Sequence, residues 1–311
     1  MILASTEENN KDHDKKFIRK VTYQSVANPQ EEGVGATVFR SIGNQSLRNL
    51  DPFLALDEFK ISYPAGFPDH PHRGFETVTY VISGKTAHED FAGHKGVIET
   101  GGLQWMTAGK GIVHAEMPAV KDPNFESTGL QLWVNLSKSD KMCDPSYQDL
   151  KDSDIPRATP FEGVEIKVIA GESFGISSKI RNKTPVMYLD FKMEPNKLIE
   201  HSIPSVFQTA FIYILSGQVR IGKEATFANP HSTVVLDRGT PDQDSYVLIK
   251  SLDQPTHFVL IAGKPHNEPI SRQGPFVMNA EEEIDQAFKD YKAHENGFER
   301  GVDWKSKIGG M

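Results

Sequence analysis

GFPDHPHRGFETVTYVISG, residues 66–84, joins two histidines at i and i+2 to a run of strand-forming residues that ends in glycine. Thr, Val, Tyr and Ile suit a pleated, half-buried backbone. The run TVTYVISG at 77–84 returns as AFIYILSG at 210–217, with Tyr80, Ser83 and Gly84 matched by Tyr213, Ser216 and Gly217. A repeat displaced by nearly half of the 311 residues predicts two similar β-barrels in tandem. Further short runs, GLQLWVNL at 129–136, VEIKVIAG at 164–171 and VMYLDFKM at 186–193, are separated by Gly, Pro, Asn and Asp, as in all-β sandwiches and barrels. One helix stands apart in NAEEEIDQAFKDYKAHENG at 279–297. There Asn279 and Glu282 read as a cap pair, Ile284, Phe288 and Tyr291 share a face, and Gly297 reads as the stop. The expected division is a disordered tail at 1–17, a first barrel at 18–145, and a second barrel at 146–311 that ends in the helix.

Composition excludes several functions. Lys and Arg number 34 against 42 Asp and Glu, a net charge of −8 that repels phosphate backbones, so direct nucleic-acid binding is not expected. The longest apolar runs, such as FVLIA at 258–262, are too short to span a bilayer, and the polar N-terminus carries no secretory signal. The single cysteine, Cys143, permits no internal disulfide. No phosphate loop and no GxSxG elbow is present. A soluble intracellular monomer is expected.

The histidines carry the chemistry. Alternate residues of a strand point the same way, so His70 and His72 share a face, as do His114 and Glu116 in TAGKGIVHAEMP. If the two strands face each other inside one barrel, three imidazoles and a carboxylate converge, a donor set for a divalent first-row metal: iron, manganese, nickel or copper. A closed structural zinc site more often uses thiolates, and the one cysteine is distant. Glu76 has the parity of His70 and His72 and could be a ligand or an outer acceptor for an imidazole N–H; the outer role is expected, since Glu116 already supplies a carboxylate. The displacement of 133 puts Ile203, Ser205 and Thr209 where His70, His72 and Glu76 stand, so only the first barrel should hold metal. Gln131, Trp133 and Asn135 share one strand face and could line a pocket. Asp57 and Glu58, being adjacent, point to opposite faces and make no acid/base pair. His88, His94, His201, His231, His257 and His266 lack partners at ligand spacing.

HPHRGFETVTY, GGLQWMTAGKGIVHAEMP and GLQLWVNL resemble the pirin family of bicupins, as do LDPFLALDEF, HFVLIAG, GPFVMN and NGFER. The likeness covers roughly 18–309. It implies tandem cupin barrels with one metal, typically iron, on His70, His72, His114 and Glu116, and none in the second barrel. Glu116 or Glu76 would then also handle the proton. Two roles are implied: a quercetin 2,3-dioxygenase opening a flavonol ring with dioxygen, and an iron- and redox-dependent co-regulator of a transcription factor or signalling protein. A cupin isomerase or small-molecule binder with a structural metal is the alternative. Nucleus and cytoplasm are both expected compartments; KKFIRK at 15–20 is too short to decide.

Overall fold

A computed structural model describes residues 17–309; of the tail expected at 1–17, residues 1–16, with His13, lie outside them, and Phe17 instead begins a short strand paired with Ser245. Among the described residues strands dominate and a single α-helix, Glu281–Ala293, stands near the C-terminus. The strands form two tandem cupin barrels, as the repeat predicts.

Each barrel uses one seven-stranded and one smaller sheet. In the first, the large sheet centres on Phe75–Ser83, flanked by Leu103–Thr107 and Ser127–Asn135. In the second it centres on Thr209–Ser216, flanked by Ser232–Leu236 and Thr256–Gly263. The two repeat runs are thus the corresponding central strands. Both leave their strand through a left-handed glycine, Gly84 at φ 90° and Gly217 at φ 73°. A β-carbon at either would meet Ser127 Oγ or the Pro255 carbonyl at 2.5 or 2.4 Å, which only glycine avoids.

The units do not divide at one point in the chain. Among the described residues, one comprises 27–156, 178–184 and 265–309; the other takes 17–26, 157–177 and 185–264. The expected boundary at 145 therefore moves to 156, because Ser146–Leu150 pairs with Leu103–Thr107 of the first barrel. Val21–Val26 instead pairs with Ser232–Leu236 in the second. The helix belongs to the first unit. Its apolar face, Ile284, Ala287, Phe288 and Tyr291, packs on Val113, Phe276 and Phe298. Its cap lies one residue beyond the expected Asn279: Ala280 is the cap residue, and Glu283 Oε2 accepts from the backbone N–H of Asn279 and Ala280 at 2.9 and 3.1 Å. It stops before Gly297, with His294 left-handed at φ 57°.

Candidate metal centre

The two histidine-bearing strands are neighbours in one sheet rather than facing strands. Phe67–His72 and Ile112–Pro118 pair antiparallel, with His70 directly opposite His114 and His72 opposite Ile112. Ring centroids lie 4.4 Å apart for His70 and His114, 4.7 Å for His70 and His72, and 5.0 Å for His72 and His114. One nitrogen from each of these rings lies within 4.8 Å of the others. His70 Nδ1 is 2.8 Å from the Pro68 carbonyl. A carbonyl only accepts, so Nδ1 carries the proton and Nε2 keeps its lone pair. Both ring nitrogens of His72 and of His114 are buried without a hydrogen-bond partner. Buried polar atoms are normally paired, so unpartnered imidazoles that converge in this way fit a metal. Burial lowers the pKa of all three rings, and neighbouring imidazoles push His72 and His114 lower still. They are therefore neutral at physiological pH, the ligating form.

Glu116 shares the cavity, but its carboxyl is turned to other partners. Oε1 is 2.7 Å from Thr79 Oγ1, which is also 2.7 Å from Gln131 Oε1, and Gln131 Nε2 donates to Glu116 Oε2 at 3.2 Å. One hydroxyl has one proton and cannot donate to both oxygens. A protonated Glu116 donating to Thr79 satisfies the whole ring. Burial raises the Glu116 pKa, and the Thr79 and Gln131 hydrogen bonds oppose that rise.

Glu76 is not brought to this site. Arg73 and Gly74 form the turn between strands Phe67–His72 and Phe75–Ser83, and the turn resets the alternation on which the expected parity relied. A β-carbon at Gly74 would stand 1.9 Å from the Val277 carbonyl. Glu76 points to the sheet face opposite Thr79 and accepts from Thr107 Oγ1 at 2.7 Å. It is neither an outer acceptor for these imidazoles nor a cavity acid.

The cavity beside the histidines has a volume of about 640 Å³, within the usual range for small-molecule sites. Its walls include Val38, Phe59, Ile61, Phe67 and Trp133. Of the expected face, Gln131 and Trp133 line it; Asn135 lies beyond and accepts from Lys141 Nζ at 2.7 Å. At the cavity edge stand residues that sequence reasoning missed: Arg40, Asp57, Glu32 and Arg272. Asp57 and Glu58 do diverge, but Asp57 reaches the cavity and takes Arg40 Nε and NH2 at 3.0 and 2.8 Å. His88, set aside on spacing, is buried opposite Glu116, with Gln104 Nε2 at 3.0 Å from its ring.

Two cupin barrels with three converging histidines in the first define a protein of the metal-site cupin class. The chain belongs to the pirin family. The family profile named Pirin matches residues 35–134, and that of the pirin C-terminal cupin domain matches 188–297. Pirin of Homo sapiens is 52% identical over 294 residues, 94% of this chain and 98% of that one. A pirin-like protein of Solanum lycopersicum is 52% identical over 93% of this chain and 97% of its own. Among solved structures, a quercetin 2,3-dioxygenase from Acinetobacter baumannii superposes with a TM-score of 0.81 at 30% identity, covering 89% of this chain and 98% of that one. A bacterial pirin from Escherichia coli, solved with nickel(II), shares the fold at TM-score 0.62 and 18% identity, covering 78% of this chain and 99% of that one. No helix among the described residues is long and apolar enough to cross a membrane.

Proposed function

We propose that this chain is a metal-dependent dioxygenase of flavonol-like enols. The observation that carries the reading is the pair of buried, unpartnered imidazoles, His72 and His114, beside a cavity walled by flat and aliphatic side chains. His70, His72 and His114 would hold the ion, iron(II) by family resemblance, with Glu116 as a fourth ligand once its carboxyl leaves Thr79 and Gln131. When bound, the metal supplies a Lewis acid for the enol oxygen and a redox partner for dioxygen. The chain's own residues do the rest. Phe59, Phe67 and Trp133 orient a planar ligand and exclude water. The Pro68 carbonyl fixes the His70 tautomer. Left on Thr79 and Gln131 instead of the ion, an ionised Glu116 carboxylate can receive the enol proton. Dioxygen uptake by anaerobically Fe(II)-loaded protein with quercetin tests this, with His114→Ala as control and metal content measured on both. Uptake should be present in the first and absent in the second. Stoichiometric iron without uptake for any flavonol would sink the reading.

A second reading, a redox-dependent co-regulator docking a transcription factor or signalling protein, draws support from Arg73. This residue adjoins His72 and forms a buried ion pair at 2.7 Å with Asp290 of the helix. A change at the histidines is thereby tied to a surface element. Equal partner affinity of the ferrous, ferric and metal-free forms would exclude it.

A further inference from the structure

The charged residues at the cavity edge are unequally matched. Arg40 is fully engaged on one side: Nε and NH2 bond Asp57, and NH2 also lies 2.9 Å from Glu32. Asp69 is engaged by the backbone N–H and the hydroxyl of Ser306. Arg272 is different. Its single hydrogen bond among the described residues runs from NH1 to the Leu54 carbonyl at 3.0 Å. Its guanidinium carbon stands 4.7 Å from the Trp133 ring. The remaining donors lie on a cavity-lining side chain that feels the charges of Asp57 and Glu32 but forms no ion pair with either.

Position gives this cation its meaning. Arg272 sits on the hairpin formed by Ser271–Gln273 and Phe276–Met278, whose turn residues Gly274 and Pro275 also line the cavity. Trp133 carries Arg272 against its ring, Phe75 stacked at 4.4 Å, and His72 edge-on at 5.2 Å. The indole thus touches both Arg272 and His72. A planar ligand in the cavity that reaches the histidines also comes within reach of Arg272. Guanidinium presents paired N–H donors in a planar fork, the complement of an anionic oxygen group.

We propose that Arg272 is the specificity-determining residue of this cavity. It binds an anionic oxygen group, a carboxylate or ionised phenol, carried by a flat enol. The substrate class is thus an acidic aromatic enol rather than a neutral one. The inference rests on the small-molecule reading of the site, but not on turnover.

The test is calorimetric binding of 3-hydroxyflavone and its 4′-carboxylate to anaerobic Fe(II)-loaded protein, wild type, Arg272→Gln and Arg272→Lys, with metal content and circular dichroism matched. Wild type should bind the carboxylate more tightly, by about threefold or more, since a charge-assisted pair with the exposed guanidinium fork adds to the neutral contact. Arg272→Gln should erase the preference while leaving affinity for the neutral flavone within about twofold, and Arg272→Lys should keep part of it. Equal wild-type affinities, or a preference that survives in Arg272→Gln, would overturn the proposal. A preference that depends on Arg272 without dioxygen uptake would uphold the anion site and defeat the dioxygenase. Failure of both flavones to bind would defeat both.

Discussion

In the first barrel, Phe67–His72 lies beside Ile112–Pro118, with His70 across from His114. In the second, Leu198–Ile203 lies beside Ser245–Ser251, with Ile203 across from Ser245. The sheet plan is shared, but the interiors are not. The second barrel is packed with apolar side chains, among them Ile166, Leu189, Phe191, Ile212 and Phe258, all fully buried. The first keeps a cavity among Val38, Phe59 and Ile61, with buried imidazoles at its side. Each also buries an arginine. Arg73 bonds the Lys110 carbonyl, Asp290 and the Asn296 carbonyl. Arg19 bonds Ser245 Oγ and the carbonyls of Phe207 and Gln208. The same scaffold supports a donor site when its interior stays open and polar, and acts as filled support when it does not.

The sharpest way to break this comparison is to remove a ligand. His72→Ala or His114→Ala should reduce bound metal from about one per chain to background, a loss beyond the roughly 10–100-fold typical of outer-shell partners. Ser245→Ala, at the corresponding register in the second barrel, should leave metal content unchanged. Elemental analysis after anaerobic loading decides both; retained metal in His114→Ala would show that the ion binds elsewhere.

The buried arginines come next. Asp290 is exposed to only 3% of its surface, and although burial opposes its ionised form, Arg73 and the Asn296 and Gln286 amides hold its pKa low. Arg73→Gln leaves that carboxylate without its cation, which should cost about 3–5 kcal/mol in urea unfolding. It should also weaken metal binding, because Arg73 anchors the turn directly after His72. Arg19→Gln should cost stability through the carbonyls it strands, with no change in metal affinity.

Much of this site could be read from local spacing. The HxH pair and His114 lie in short strands where period-two alternation holds, so the three histidines meet as expected, whereas the strand register shifts between His114 and Glu116 and the Glu116 carboxyl stands outside their cluster. Glu76 failed for the opposite reason: the Arg73–Gly74 turn separates it from His72, and counting parity across a turn has no physical basis. Asp57 was dismissed as half of an acid pair, yet its neighbour across the sheet is Arg40, which no local pattern announces. Arg272 reaches the cavity from a hairpin far along the chain. The unit boundaries were hidden by the same kind of contact, since Val21–Val26 finds its partner at Ser232–Leu236.

A packing comparison with identical chemistry sharpens the contrast between interiors. Ile212→Ala in the filled barrel should cost about 2–5 kcal/mol, because close-packed neighbours cannot collapse onto the void. Ile61→Ala, which borders an existing cavity, removes fewer contacts and should cost less. Chemical denaturation of both variants measures the difference; equal costs would argue that the first barrel is as tightly packed as the second.

A pH slope separates Glu76 from the metal site. Burial pushes the Glu76 pKa from 4.5 to about 7, and the Thr107 hydrogen bond only partly offsets it. The folded chain therefore holds a proton that the unfolded chain releases between those values. Where the folded state binds more protons, unfolding free energy falls as pH rises. The contribution is fully present below about 4.5 and is lost progressively up to about 7, at roughly 1.4 kcal/mol per pKa unit. Glu76→Gln keeps a neutral acceptor for Thr107 and has nothing to ionise. Its stability relative to wild type should therefore increase from pH 4.5 to 7 and level off above. Metal content should stay unchanged, because Glu76 lies on the face away from the histidines. A variant that loses metal instead would place Glu76 back in the site.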